Sequence, residues 1–161
     1  MKALPLIALT LAAARLFTPV SAFAADDGAF LTKAMQGDSA EVAMGMMAEK
    51  RGTIAKTRAY GRMLANDHSA HRMKLVALAH SMGVKSTMAL SDEAKQKRAV
   101  MLGIKGAAFD AAFKQDMIVD HQKDITEYQM EAKSAQSPKV RQMAQNTLPT
   151  LNKHLAAARS L

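Results

Sequence analysis

Two short stretches, "ANDHSAH" at 65–71 and "IVDHQKD" at 118–124, set ionisable side chains into otherwise apolar helical patterning. The longer segments "MLANDHSAH" and "DMIVDHQKD" share an Asp-His pair after apolar residues. Aligning the pairs matches Asp67, His68 and His71 with Asp120, His121 and Asp124. In each set the first and last residues are four apart and the middle and last three apart, so each set shares one side of a helix. Burying such groups in an apolar seam costs several kcal/mol each unless they are paired or ligated. Imidazole with carboxylate suits a transition metal such as zinc, iron, manganese or copper, with carboxylates not bound directly orienting the rings. The alternative is a metal-free network in which Glu41, Asp120 and Asp124 satisfy His68, His121 and His154 by hydrogen bonds.

The elements that must position these groups are helical. Ala, Met, Leu, Lys and Gln dominate, there is no Trp, and no run alternates β-branched residues. The first helix is expected from near Asp27 to "RGT", with Gly37 and Asp38 a weak point where it can kink. The second runs from near Thr53 to "SMGV", where Gly83 suits the C-terminal cap. A short helix, "SDEAKQKRAVML", is capped by Ser91 and carries Asp92 and Glu93 in its first turn, with Gly103 and Gly106 bracketing its end. The third long helix covers 107–135, and Ser137-Pro138 starts the fourth, which Pro149 should bend near Gln145 without ending it.

Two helices, a long crossover with its own short helix, then two more is the connectivity of a ferritin-like antiparallel four-helix bundle. Seam positions can be listed at alternating steps of three and four. They read Phe30, Ala34, Gly37, Glu41, Met44 and Ala48 in helix one, and Leu64, His68, His71, Leu75, Leu78 and Met82 in helix two. Helix three offers the row Ile118, His121, Ile125, Tyr128 and Ala132, and beside it Phe113, Met117, Asp120 and Asp124. Helix four offers Val140, Ala144, Thr147, Leu151, His154, Ala158 and Leu161. Every long helix therefore interrupts its seam with a carboxylate or an imidazole. The candidate metal-binding set is Glu41, His68, His71, Asp120, His121, Asp124 and His154.

Register supports convergence. His121 and His154 lie sixteen or seventeen residues from the turn at Ser137, about 25 Å along antiparallel helices, and should be level. From the turn near Gly52, Glu41 lies eleven residues back and His68 sixteen forward, an offset of one or two turns. The Glu-x-x-His pair of di-iron bundles is absent. Nothing supplies the open coordination positions and redox metal that an oxidase would need, so no catalytic residue is assigned.

Composition bounds the setting. Residues 1–24 combine a cationic start, an apolar stretch and an Ala22-Phe23-Ala24 ending, the pattern of a secretory signal cleaved before Ala25. Arg15 and Pro19 interrupt it too early for a spanning helix. Residues 25–161 then form one domain long enough for a real core. The chain has no cysteine, so any metal must be held by nitrogen, oxygen or thioether. Of the net charge of +8, the leader carries Lys2 and Arg15 and no acid, which leaves +6 on the mature part. That charge is dispersed among acids, which argues against nucleic acid and fits, at most, an anionic envelope component such as lipid, wall polymer or polysaccharide. Met44, Met46 and Met47 cluster near Glu41; a thioether copper site is conceivable, but methionine at seam positions is best read as core filler. His80 falls off the seam, and Tyr60 is a core aromatic.

"FLTKAMQGDSAEVAMGMMAEKRG", "VDHQKDI" and "NTLPTLNKHLAAARSL" together resemble the exported bacterial family designated domain of unknown function 4142. The resemblance covers nearly the whole mature chain. It is most specific at Ala40-Glu41-Val42, Asp67-His68, Asp120-His121 and Leu148-Pro149 with Leu151 and His154. It implies a ferritin-like bundle in the periplasm or at the outer membrane, without an activity. The family's characteristic polar positions correspond to Glu41, His68, Asp120, His121 and His154. "GVKSTMAL" departs from the family, whose members often carry a proline there. The expected function is transition-metal binding in the bundle core, in metal handling or envelope stress. The alternative is a metal-free structural or interaction module of the envelope.

Overall fold

The computed structural model describes residues 22–161, which form five α-helices and no strand. They are α1 (Ala22–Arg51), α2 (Ala55–Ser81), α3 (Asp92–Gly103), α4 (Ala107–Ser134) and α5 (Pro138–Arg159). The leader expected over 1–24 lies outside the described residues except for its last three, which are helical. No helix among the described residues is long and apolar enough to cross a membrane.

The punctuation follows the local chemistry. Ser91 caps α3, its hydroxyl accepting from the Ala94 amide at 3.1 Å, and Ser137 with Pro138 opens α5. Gly83 takes φ +69° immediately beyond α2, the left-handed conformation that glycine adopts without a Cβ clash. Helix α5 continues through Pro149 to Arg159. Gly37 and Asp38 do not interrupt α1, which runs through both. Asp38 is buried there and bonded to α2, a tertiary gain that offsets its poor helix propensity.

Helix α1 packs along α2 and α4 along α5, giving two antiparallel hairpins joined by the crossover that holds α3. The apolar side chains form two separate clusters. One gathers Phe30, Leu31, Met35, Leu75, Tyr128 and Val140; the other gathers Met44, Leu64, Met101, Phe109, Phe113 and Met117. Between them, Asp38 and Glu41 fall on α1, His68 on α2, His121 on α4 and His154 on α5, all buried. A polar layer thus crosses the helical bundle between two apolar cores. Met44 and Met47 belong to the second core, whereas Met46 is exposed. Tyr60 is a core aromatic whose hydroxyl donates to the His154 carbonyl at 3.2 Å.

Helix α3 is fastened at its C-terminal end and at its middle. Met101 enters the second core, and Arg51 donates to the carbonyls of Met101, at 3.1 Å, and of Ile104 while lying over the Phe109 ring. Lys97 reaches Asp116 at 3.0 Å and Asp120 at 3.4 Å on α4.

Candidate metal centre

Helices α2, α4 and α5 each carry one histidine into the polar layer. His68 is 4% exposed, and His121 and His154 are 0% exposed. Their ring centroids lie 5.1 Å (His68–His154), 5.4 Å (His121–His154) and 5.8 Å (His68–His121) apart. One ring nitrogen from each lies within 4.8 Å of one from each of the others.

Each ring is held from outside by one acceptor. His68 Nδ1 donates to Asp38 Oδ1 at 2.8 Å, His121 Nδ1 to the Met117 carbonyl at 2.9 Å, and His154 Nε2 to Asp67 Oδ2 at 2.9 Å. A carbonyl or carboxylate partner places the ring proton on the nitrogen it faces. The opposite nitrogens, His68 Nε2, His121 Nε2 and His154 Nδ1, are buried with no hydrogen-bond partner. In neutral rings these three atoms present only lone pairs. Lone pairs do not satisfy one another, whereas a cation satisfies such an atom.

The electrostatics disfavour the charged form of His121 and of His154. Burial, followed by repulsion from His68 and His154, pulls His121 down to about 4. Burial also lowers His154, although the Asp67 hydrogen bond opposes it. Burial would raise Asp38, but the hydrogen bonds from His68 and His71 hold it below the ordinary carboxylate range. Metal-ligating histidines are commonly oriented by acceptors placed in this way.

The protonation of His121 has a measurable consequence. Its folded-state value near 4 is depressed from 6.5, so between those pH values the unfolded chain binds a proton that the folded chain refuses. Stability from this residue is complete above pH 6.5 and is lost as pH falls towards 4. Relative to a His121→Leu variant, the metal-free protein is expected to lose about 2 kcal/mol between pH 7 and pH 5. Unfolding free energies from urea titrations at both pH values should diverge by that amount. Equal spacing at the two would show that His121 does not titrate differently on folding.

The remaining candidate residues take other places. His71 turns about 60° off the His68 direction, as a step of three residues requires, and both its nitrogens are engaged. Nδ1 donates to Asp38 Oδ2 at 2.8 Å, and Nε2 lies 2.9 Å from the Thr147 hydroxyl. Glu41, Asp120 and Asp124 stand outside the close nitrogen group and form a carboxylate group with Asp116. Glu41 is driven up by burial and by Asp120. Burial would also raise Asp120, but Glu41 and the Lys97 charge hold it low. Burial and the Asp120 and Glu127 charges raise Asp124 to about 7.

Asp38 and Asp67 orient the histidines, yet neither is in the candidate set. Register could have found Asp38: it lies fourteen residues before Gly52, nearly level with His68 sixteen after it, whereas Glu41 is only eleven before. Asp67 was visible only as half of the Asp-His echo. That echo is not equivalent in three dimensions, since Asp67 serves His154 while Asp120 faces Glu41 and Lys97.

One family model matches the chain, over residues 12–161, and its description is "Domain of unknown function" (DUF4142). No curated protein and no solved structure matches.

Proposed function

We propose, for a chain that belongs to the domain of unknown function family DUF4142 and so inherits no assigned chemistry, that its three buried histidines bind a transition-metal ion in an exported, ferritin-like bundle. The observation that carries this proposal is the convergence of three buried imidazoles, each left with one unpartnered nitrogen and held at the other by Asp38, the Met117 carbonyl or Asp67. Three neutral imidazoles favour zinc, copper, iron or manganese over magnesium or calcium. Tetrahedral ligands at about 2.1 Å place nitrogens about 3.4 Å apart. The 4.8 Å spread is therefore one that small ring rotations close. His68, His121 and His154 would hold the ion, and Asp38 and Asp67 would strengthen the rings as donors. A bound ion of this kind supplies a Lewis acid or, for copper and iron, a redox centre. The two hairpins meet at this layer, so the ion would also tie α2 to α4 and α5.

Export is part of the same proposal, supported by the leader pattern of residues 1–24. Metal handling in the envelope is the role this reading assigns to such a site.

One experiment tests both parts. Protein recovered without chelator from the periplasmic fraction should carry about one equivalent of metal by elemental analysis. After chelation, zinc or copper at a hundredfold excess over Kd should stabilise it by about 2.7 kcal/mol. A metal-free protein whose melting temperature ignores all four ions would return the cluster to a structural role in an envelope module.

A further inference from the structure

We propose that the cavity beside the histidines is a second cation site of different chemistry, in which Glu41, Asp120 and Asp124 hold a hard divalent ion and Lys97 is its displaceable counter-charge. This goes beyond the imidazole site and does not require that site to be filled.

The cavity has a volume of about 180 Å³ and lies between the hairpins, with α3 along its rim. It has room for several waters, as an ion that keeps part of its hydration shell requires. Glu41 lines it, is 2% exposed, and its Oε2 has no hydrogen-bond partner. A carboxyl oxygen in that position is costly unless something electropositive faces it. Asp120 and Asp124, one turn apart on α4, line the same space and share a helix face. Glu41 and Asp120 act on each other electrostatically across the gap between α1 and α4. Acceptors therefore converge on the cavity from both hairpins.

Charge balance points the same way. Glu41, Asp116, Asp120 and Asp124 all interact electrostatically. Among the described residues, the only ammonium in salt-bridge reach of them is Lys97, at 3.0 Å from Asp116 and 3.4 Å from Asp120. Lys123 adds a longer-range attraction to Asp124. Lys97 comes from the crossover helix and its side chain is 34% exposed, so it can swing into solvent while α3 stays anchored by Met101 and Arg51. The donors here are oxygens, which suit calcium, magnesium and manganese, whereas the neighbouring nitrogens disfavour calcium and magnesium.

Terbium(III) is the probe, because it seeks oxygen ligands and emits when excited through a nearby phenol. The chain has two tyrosines and no tryptophan, and Tyr128 lines the cavity. Titration of the purified protein should give tyrosine-sensitised emission that saturates at about one equivalent, and manganese or calcium should compete it away. The same curve is expected for His121→Leu, which separates this site from the imidazole site. A Glu41→Gln/Asp124→Asn variant should bind terbium at least about tenfold more weakly, while keeping its circular dichroism and its zinc-induced stabilisation. Lys97→Met should bind it severalfold more tightly. Emission that never saturates, or a folded Glu41→Gln/Asp124→Asn variant that binds as the parent does, overturns the proposal. If that variant does not fold, an unchanged affinity in Lys97→Met overturns it.

Discussion

Replacing His121 by leucine is expected to raise the melting temperature of the metal-free protein and to abolish its stabilisation by metal. The two signs have separate causes. Without metal, His121 contributes a buried Nε2 with no partner, an unsatisfied group that costs about 1–3 kcal/mol. Leucine has similar volume and no polar atom, and the Met117 carbonyl that His121 leaves is part of the α4 backbone. The gain should appear as several degrees in melting temperature. With metal, the variant lacks one of three nitrogen donors, a loss of about 3 kcal/mol or more than a hundredfold in affinity. At a fixed free-metal concentration, the metal-induced shift should then vanish. Melting curves of both proteins, with and without zinc, decide the matter. A variant less stable than its parent in chelator would mean that the histidines satisfy one another and need no ion.

Replacing Gly61 by alanine is expected to destabilise the fold by about 3 kcal/mol, although alanine is the better helix former by about 1 kcal/mol. A Cβ at Gly61 would lie 2.5 Å from the Gly45 carbonyl oxygen and 2.7 Å from the Glu49 amide nitrogen. A Cβ at Gly45 would lie 2.5 Å from the Gly61 carbonyl oxygen. Both obstacles are backbone, which cannot rotate aside as a side chain can. Helices α1 and α2 would have to separate along their length, opening contacts in the cores at both ends of the pair. A fall of about 10 °C in melting temperature is the expected reading. Gly37→Ala is the control, because its Cβ meets nothing within 4 Å and its exposed helical site should gain stability. Equal effects at Gly37 and Gly61 would show that close approach of the helices is not what these glycines permit.

The helices were legible because their signals are local. Ser91, Gly83 and Ser137-Pro138 act through bonds and torsions within a few residues of themselves, and the structure uses each as its chemistry dictates. The seam was legible for a related reason: burial along a helix repeats with the turn, so His68, His121 and His154 could be placed inward by counting. Counting also sets Asp38 nearly level with His68, but its neighbour Gly37 made it resemble a break. Its burial is decided by two histidines on another helix.

His68 and His71 illustrate the division most closely. Spacing put both on the inner side of α2, but a difference of about 60° around that helix gives them different neighbours. One ring packs beside two other histidines and keeps a bare nitrogen, and the other is closed at both nitrogens by Asp38 and Thr147. The sequence alone determined the all-helical chain, its turns, and the layer of ionisable residues that interrupts the apolar seams, since these depend on propensity and period. Only the tertiary structure decided which nitrogens converge, which carboxylates stand behind them, and which gather in the adjoining cavity. Those outcomes depend on the rotation and register of one helix against another, quantities that no single helix encodes.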